Sequence, residues 1–144
     1  MAKVEKTLEL AAAPEKVWEV LSDPSRFGEW LGMHKKWKSE PPTTLVQGTE
    51  LPEAVINLMN MANTFQWTVA EVNAPSSATL TATGMAAVKV TLEIAVAPAA
   101  AGATVTVAAS FDGALIKGAL AKAAEKAAGD DIEDSFHRLQ ALVA

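Results

Sequence analysis

Residues 87–96 read AVKVTLEIAV, with Val88, Val90, Leu92, Ile94 and Val96 alternating with Lys89, Thr91 and Glu93. A two-residue period puts the apolar set on one face of a β-strand and the polar set on the other. The same pattern recurs along the chain. TFQWTVAEV sets Phe65, Trp67 and Val69 against Thr64, Gln66 and Thr68, and ATLTATG alternates threonine with Leu80 and Ala82. TVTVAASF puts Val105, Val107, Ala109 and Phe111 on one face, with Ser110 on the other. Turn-forming stretches, NAPSS and APAAAGA, separate these runs. Consecutive strands joined so briefly pair antiparallel, and a sheet apolar on one face must have that face covered.

The cover is legible in the C-terminal third. GALIKGALAKAAEKAAGDDIEDSFHRLQALVA is rich in Ala and Leu at helical spacing. Ile116, Leu120, Ala123 and Ala127 form one stripe, which Ile132, Phe136, Leu139 and Val143 continue. Gly129 followed by Asp130 and Asp131 marks a kink or a restart there.

Ahead of the strand run, VEKTLEL puts Val4, Leu8 and Leu10 on one face, with Lys6 breaking the apolar set. APEKVWEVLSD starts a short helix at Pro14, with Glu15 in its first turn and Val17, Trp18, Val20 and Leu21 on its apolar side. DPSRFGEWL repeats the start signal, with Asp23 as N-cap before Pro24, and buries Phe27, Trp30 and Leu31. In TELPEAVINLM, Pro52 implies an edge or a bulge, and NMAN reads as the hairpin loop that follows. The expected fold is α+β: one strand, two short helices, then strands to a total of about six or seven, and a long closing helix, as a single domain over residues 1–144.

Composition removes several function classes. Net charge is −5, which gives no whole-molecule attraction to DNA or to an anionic membrane. The absence of cysteine removes disulfides, thiolate nucleophiles and Cys-based metal sites, and fits a cytoplasmic protein. No uninterrupted apolar run is long enough for stable membrane insertion. Metal binding is not expected, because His34 and His137 are the two histidines. Nor does the sequence carry a phosphate-binding glycine loop, a nucleophile elbow or a zinc-protease motif, so no cofactor is expected.

The order of elements resembles the helix-grip fold of the START-like lipid-transfer and polyketide cyclase superfamily. LELAAAPEKVWEVLSDPSRFGEWL is similar to that family's opening, and the Thr/Val hairpins and long terminal helix extend the likeness over nearly the whole chain. The resemblance implies a curved sheet wrapped around the C-terminal helix, with a ligand cavity between them. EWLGMHKKW and GTELPEAVINLMNMANTFQWTV also resemble an actinobacterial branch labelled as the toxin of type II toxin–antitoxin pairs, in which His34, Trp37 and Trp67 match His and Trp positions.

Within EWLGMHKKW, Trp30 reads mainly as core, while His34 and Trp37 lie past the helix on the crossover to the sheet, where the resemblance places a cavity mouth. His34 is the weak candidate for proton transfer, with Glu29 or Glu40 as its local carboxylates. Lys35, Lys36 and Lys38 form a basic run, read as a solvated loop, as a cuff for an anionic head group or, interleaved with Trp37, as a base-stacking surface for RNA. Asn57 shares parity with Val55 and Met59 where the register holds past Pro52, and an inward Asn57 would orient a ligand or pair with backbone. Phe65 and Trp67 line a cavity or fill it, with Val90, Leu92, Val107 and Phe111 from the sheet and Leu120 and Phe136 from the helix completing the ligand-binding set. Small Ala82, Ala109, Ala123 and Ala127 opposite large rings suit either a packed core or a pocket. The expected function is binding of a small apolar, lipid-like or polyketide-like ligand. The alternatives are a toxin held by an antitoxin protein, or a polyketide aromatase/cyclase, with binding favoured over catalysis.

Overall fold

A computed structural model describes residues 2–58, 61–84, 88–114 and 116–143. Strand β1 (Ala2–Leu10) leads into α1 (Pro14–Leu21), a 3₁₀ turn (Pro24–Arg26) and α2 (Phe27–Trp30). Then come β2 (His34–Trp37), β3 (Glu50–Leu58), β4 (Met61–Asn73), β5 (Ser77–Thr83), β6 (Lys89–Ala99), β7 (Gly102–Asp112) and α3 (Gly118–Val143). The strands form one antiparallel, curled half-barrel sheet in the order β1-β7-β6-β5-β4-β3-β2, with α3 lying across its concave face.

Local chemistry sets the helix starts as the sequence implies. Pro14 opens α1, and the Asp23 carboxylate accepts from the Ser25 backbone N–H at 3.0 Å ahead of α2. On the sheet, alternation and register combine into rows that cross several strands. Trp67, Ala82, Val90, Phe111 and Ala2 form one concave row; Val69, Leu80, Leu92, Ala109 and Val4 form the next. The first row is buried throughout, with large side chains flanked by small ones.

Four expectations need correction. The crossover after α2 is a strand: HKKW pairs with β3 as an edge, with one bulge between His34 and Lys36. Four residues containing two lysines carry too little alternation to be read as a strand. Met61–Asn63, assigned to a hairpin loop, belongs to β4, and pairing reaches Leu58 opposite Met61; Asn60 of that loop lies outside the described residues. Helix α3 runs unbroken for 26 residues through Gly129, which sits over β1 with the Lys6 stem where a Cβ would point. Its apolar stripe is phased differently in the first half: Ala124 and Ala128 are buried, whereas Ala123 is exposed and Leu120 is 40% exposed. Ile116 is buried ahead of the helix, so the 4-3-4 spacing counted from it reaches Ala123 and Ala127, each one residue short of the buried pair.

Asn57 is the fourth. Leu51, Ala54 and Ile56 face the core, so Asn57 lies half-buried on the other face, with Val55. The ladder slips between Glu50 and Glu53, around Pro52, which has no N–H to give. The inward Asn57 side chain therefore does not occur; Met59, which shares its parity, lies outside the described residues. The Gln66 amide donates to the Leu51 carbonyl at the slip, satisfying a group the ladder leaves over.

Candidate functional site

The turn between α2 and β2 is held from three sides. Gly32 N–H donates to Ser135 Oγ at 2.7 Å, and that hydroxyl donates to the Asp131 carbonyl at 2.8 Å. A Cβ on Gly32 would come within 2.7 Å of the Asp131 carbonyl oxygen, so α3 and the turn approach as closely as glycine allows. His34 N–H donates to the Leu31 carbonyl, and Asn57 N–H donates to the Met33 carbonyl. These bonds fix where His34 and Trp37 start their side chains.

The side chains gather around Phe27. Its ring meets Trp30 edge-on at 5.9 Å and His34 at 6.1 Å, and stacks on Trp37 at 5.7 Å. His34 and Trp37 are 4.9 Å apart. Trp30, His34 and Trp37, read from sequence as neighbours along the chain, are thus one aromatic cluster in space. Trp37, half-buried, donates its indole N–H to the Pro24 carbonyl at 2.8 Å. Trp30 Nε1, His34 Nδ1 and Trp67 Nε1 are buried with no hydrogen-bond partner among the described residues.

Burial lowers the His34 pKa to about 4, so the imidazole is neutral at pH 7. The expected carboxylate partners are not there: Glu29 pairs with Arg26, and no acid acts on the His34 titration. Lys35 and Lys36 are exposed; Lys35 acts instead on half-buried Asp131, whose pKa is raised by burial and then by Asp134 and Asp130. Among the described residues, no cluster of His, Cys, Asp and Glu suits a metal ion.

The remaining predicted residues divide cleanly. Phe65, Trp67, Val90, Leu92, Val107 and Phe111 are buried on the concave face, and Phe136 faces it from α3. Leu120 points to solvent, and Asn57 lies on the opposite face of its strand. Asn63, not singled out from sequence, shares the concave parity of Phe65 and stands across Ile56 from His34. Its placement inside NMAN hid it. Ser135 was also missed, although a serine in step with Ala128, Ile132 and Leu139 on a buried stripe is a readable signal. Lys6 is the charged side chain on the concave face of the sheet among the described residues, and Glu133 of α3 pairs with it. A separate open groove of about 540 Å³ lies near the Pro41–Pro42 segment, beside exposed Val46.

The family model for polyketide cyclase / dehydrase and lipid transport proteins matches residues 1–144. A Mycobacterium tuberculosis protein named Toxin Rv0910 is 31% identical over 144 residues, covering 100% of this chain and 99% of that one. An uncharacterized protein of the same organism, Rv1546, is 30% identical over 142 residues, 99% of each chain. Among solved structures, a START superfamily protein from Mycobacterium smegmatis superposes with a TM-score of 0.78 at 17% identity, covering 99% of this chain and 97% of that one. Protein CV1439 from Chromobacterium violaceum gives 0.73 at 18%, covering 98% and 96%.

Proposed function

Because the chain belongs to the polyketide cyclase / dehydrase and lipid transport family, we propose that it binds a small apolar ligand, lipid-like or polyketide-like, between the concave face of the sheet and α3. The observation that carries this reading is the character of that face. It is apolar across five strands, small residues stand at Ala82 and Ala109, and Ala124 and Ala128 look back at it from the helix. Apolar burial supplies affinity at about 25 cal/mol per Å², and a few buried polar groups supply orientation. The ligand set is Trp30, His34, Trp37, Phe65, Trp67, Val90, Leu92, Val107, Phe111 and Phe136, within one domain over residues 1–144 of a cytoplasmic protein. No helix among the described residues is long and apolar enough to cross a membrane.

Native mass spectrometry of gently purified protein, set against the same sample after denaturation, tests the reading. An extra mass that vanishes on denaturation supports it. Protein that stays unliganded after incubation with a panel of apolar compounds contradicts it.

A second reading, a toxin neutralised by an antitoxin protein, is favoured by one observation: a relative 31% identical along the whole chain is named a toxin. Expression alone then slows growth, and co-expression of a neighbouring gene relieves it. Unchanged growth at high expression sinks this reading and leaves ligand binding untouched.

A further inference from the structure

Trp67 differs from the other rings of the site. It is fully buried, at 0% exposure, on the concave face of β4, directly across from Ala82 of β5. On the β3 side Trp67 faces the register slip between Glu50 and Glu53, so the small partner that borders the indole is Ala82. Trp37 donates to a backbone carbonyl, and Trp30 is packed edge-on against Phe27 at the end of the sheet. The Trp67 indole N–H, like that of Trp30, has no acceptor among the described residues, but Trp67 alone of the two stands on the concave face of the sheet. Buried donors in folded proteins are nearly always paired. An indole N–H can only donate, so its partner must carry a lone pair.

We infer that Trp67 Nε1 donates to an oxygen of the bound ligand, and that the site selects an uncharged molecule with a carbonyl- or hydroxyl-type oxygen on an apolar body over a carboxylate of the same shape. This rests on the ligand-binding reading above. The selection against charge follows from what surrounds the indole. Among the described residues, Lys6 is the cation on the concave sheet face, and Glu133 already neutralises it. Lys35 and Lys36 are exposed. A carboxylate drawn in beside Trp67 would lose its hydration without gaining a counter-ion. A ketone loses little and gains one hydrogen bond.

The test uses two matched sets of probes on the full chain: acetylnaphthalene, naphthoate and isopropylnaphthalene, and then undecyl methyl ketone, dodecanoate and tridecane. Affinities are read by equilibrium dialysis on the wild type and on Trp67→Phe, which keeps a ring and removes the N–H. The ketones are expected to bind roughly tenfold tighter than the hydrocarbons, and tighter still than the carboxylates. Trp67→Phe is expected to abolish the roughly tenfold preference for ketone over hydrocarbon, a ratio in which the loss of ring area common to both probes cancels. If that variant does not fold, the wild-type indole ¹H–¹⁵N spectrum decides: the ketone moves the Trp67 N–H signal downfield and the hydrocarbon does not. Carboxylates binding as well as ketones, or a Trp67 signal that ignores the ketone, overturns the inference while sparing ligand binding. Uptake of none of the six probes overturns the ligand-binding reading itself, and this inference with it.

Discussion

His34 sits on an edge strand yet is 6% exposed, walled in by Phe27 and Trp37. Its pKa falls to about 4 from 6.5 because burial penalises the charged ring. Between those two values the unfolded chain holds a proton that the folded chain does not. Stability is therefore full above pH 6.5 and declines as pH drops toward 4, by about 3 kcal/mol over the whole window. Urea denaturation at pH 7 and at pH 4.5 should show that decline, and His34→Phe should flatten it. An equal slope in the variant would assign the acid sensitivity elsewhere. Ser135 makes a second residue-scale prediction. Ser135→Ala strands the Gly32 N–H against α3, and is expected to cost about 1–3 kcal/mol, measured as a lowered denaturation midpoint. A loss below a few tenths would mean that the Gly32–Ser135 bond contributes nothing net.

At the level of elements, the close fit between β4 and β5 is the sharpest constraint. A Cβ on Gly84 would lie 2.6 Å from Phe65 Cε2, so the end of β5 needs glycine for the ring to lie where it does. Gly84→Ala should destabilise by about 1–3 kcal/mol. Adding Phe65→Leu should recover part of that loss, a non-additivity read from a double-mutant cycle. Simple additivity would show that Phe65 moves aside freely. How much of these elements the sequence reveals depends on length and period. Strands β4 to β7 alternate over seven or more residues, and pattern alone identifies them. β2 is four residues, HKKW, and it becomes a strand only because Ala54, Val55 and Ile56 offer it an edge. The parity of Asn57 turns on a slip at Pro52 whose size no local rule sets. Likewise, α3 announces itself by composition, but its phase depends on where the helix begins, two residues after Ile116. Of the candidate site, the aromatic members were legible because rings are scarce in this chain. The bonds that place them, from Ser135 and Pro24, are long-range and left little trace in the local sequence.

For the whole molecule, the sheet order closes β1 onto β7, so the first and last strands are neighbours and α3 returns over both. Such an arrangement couples the ligand space to global stability, because a guest between sheet and helix touches elements from both ends of the chain. A neutral apolar probe at about a hundredfold excess over its Kd should add about 2.7 kcal/mol to unfolding, raising Tm by several degrees in a thermal melt. A compound bound only in the open groove beside Val46 would touch one loop and the start of β3. Saturation would raise Tm in that case too, so Tm alone does not locate the site.

Location is decided by intermolecular NOEs between methyl-labelled protein and acetylnaphthalene. A ligand held between sheet and helix gives cross-peaks to Val90, Leu92 and Val107 on the strands and to Ala124 and Ala128 on α3 together. Cross-peaks confined to Val46 or Leu120, the exposed large apolar residues among those described, would place the ligand on the surface and contradict an interior site.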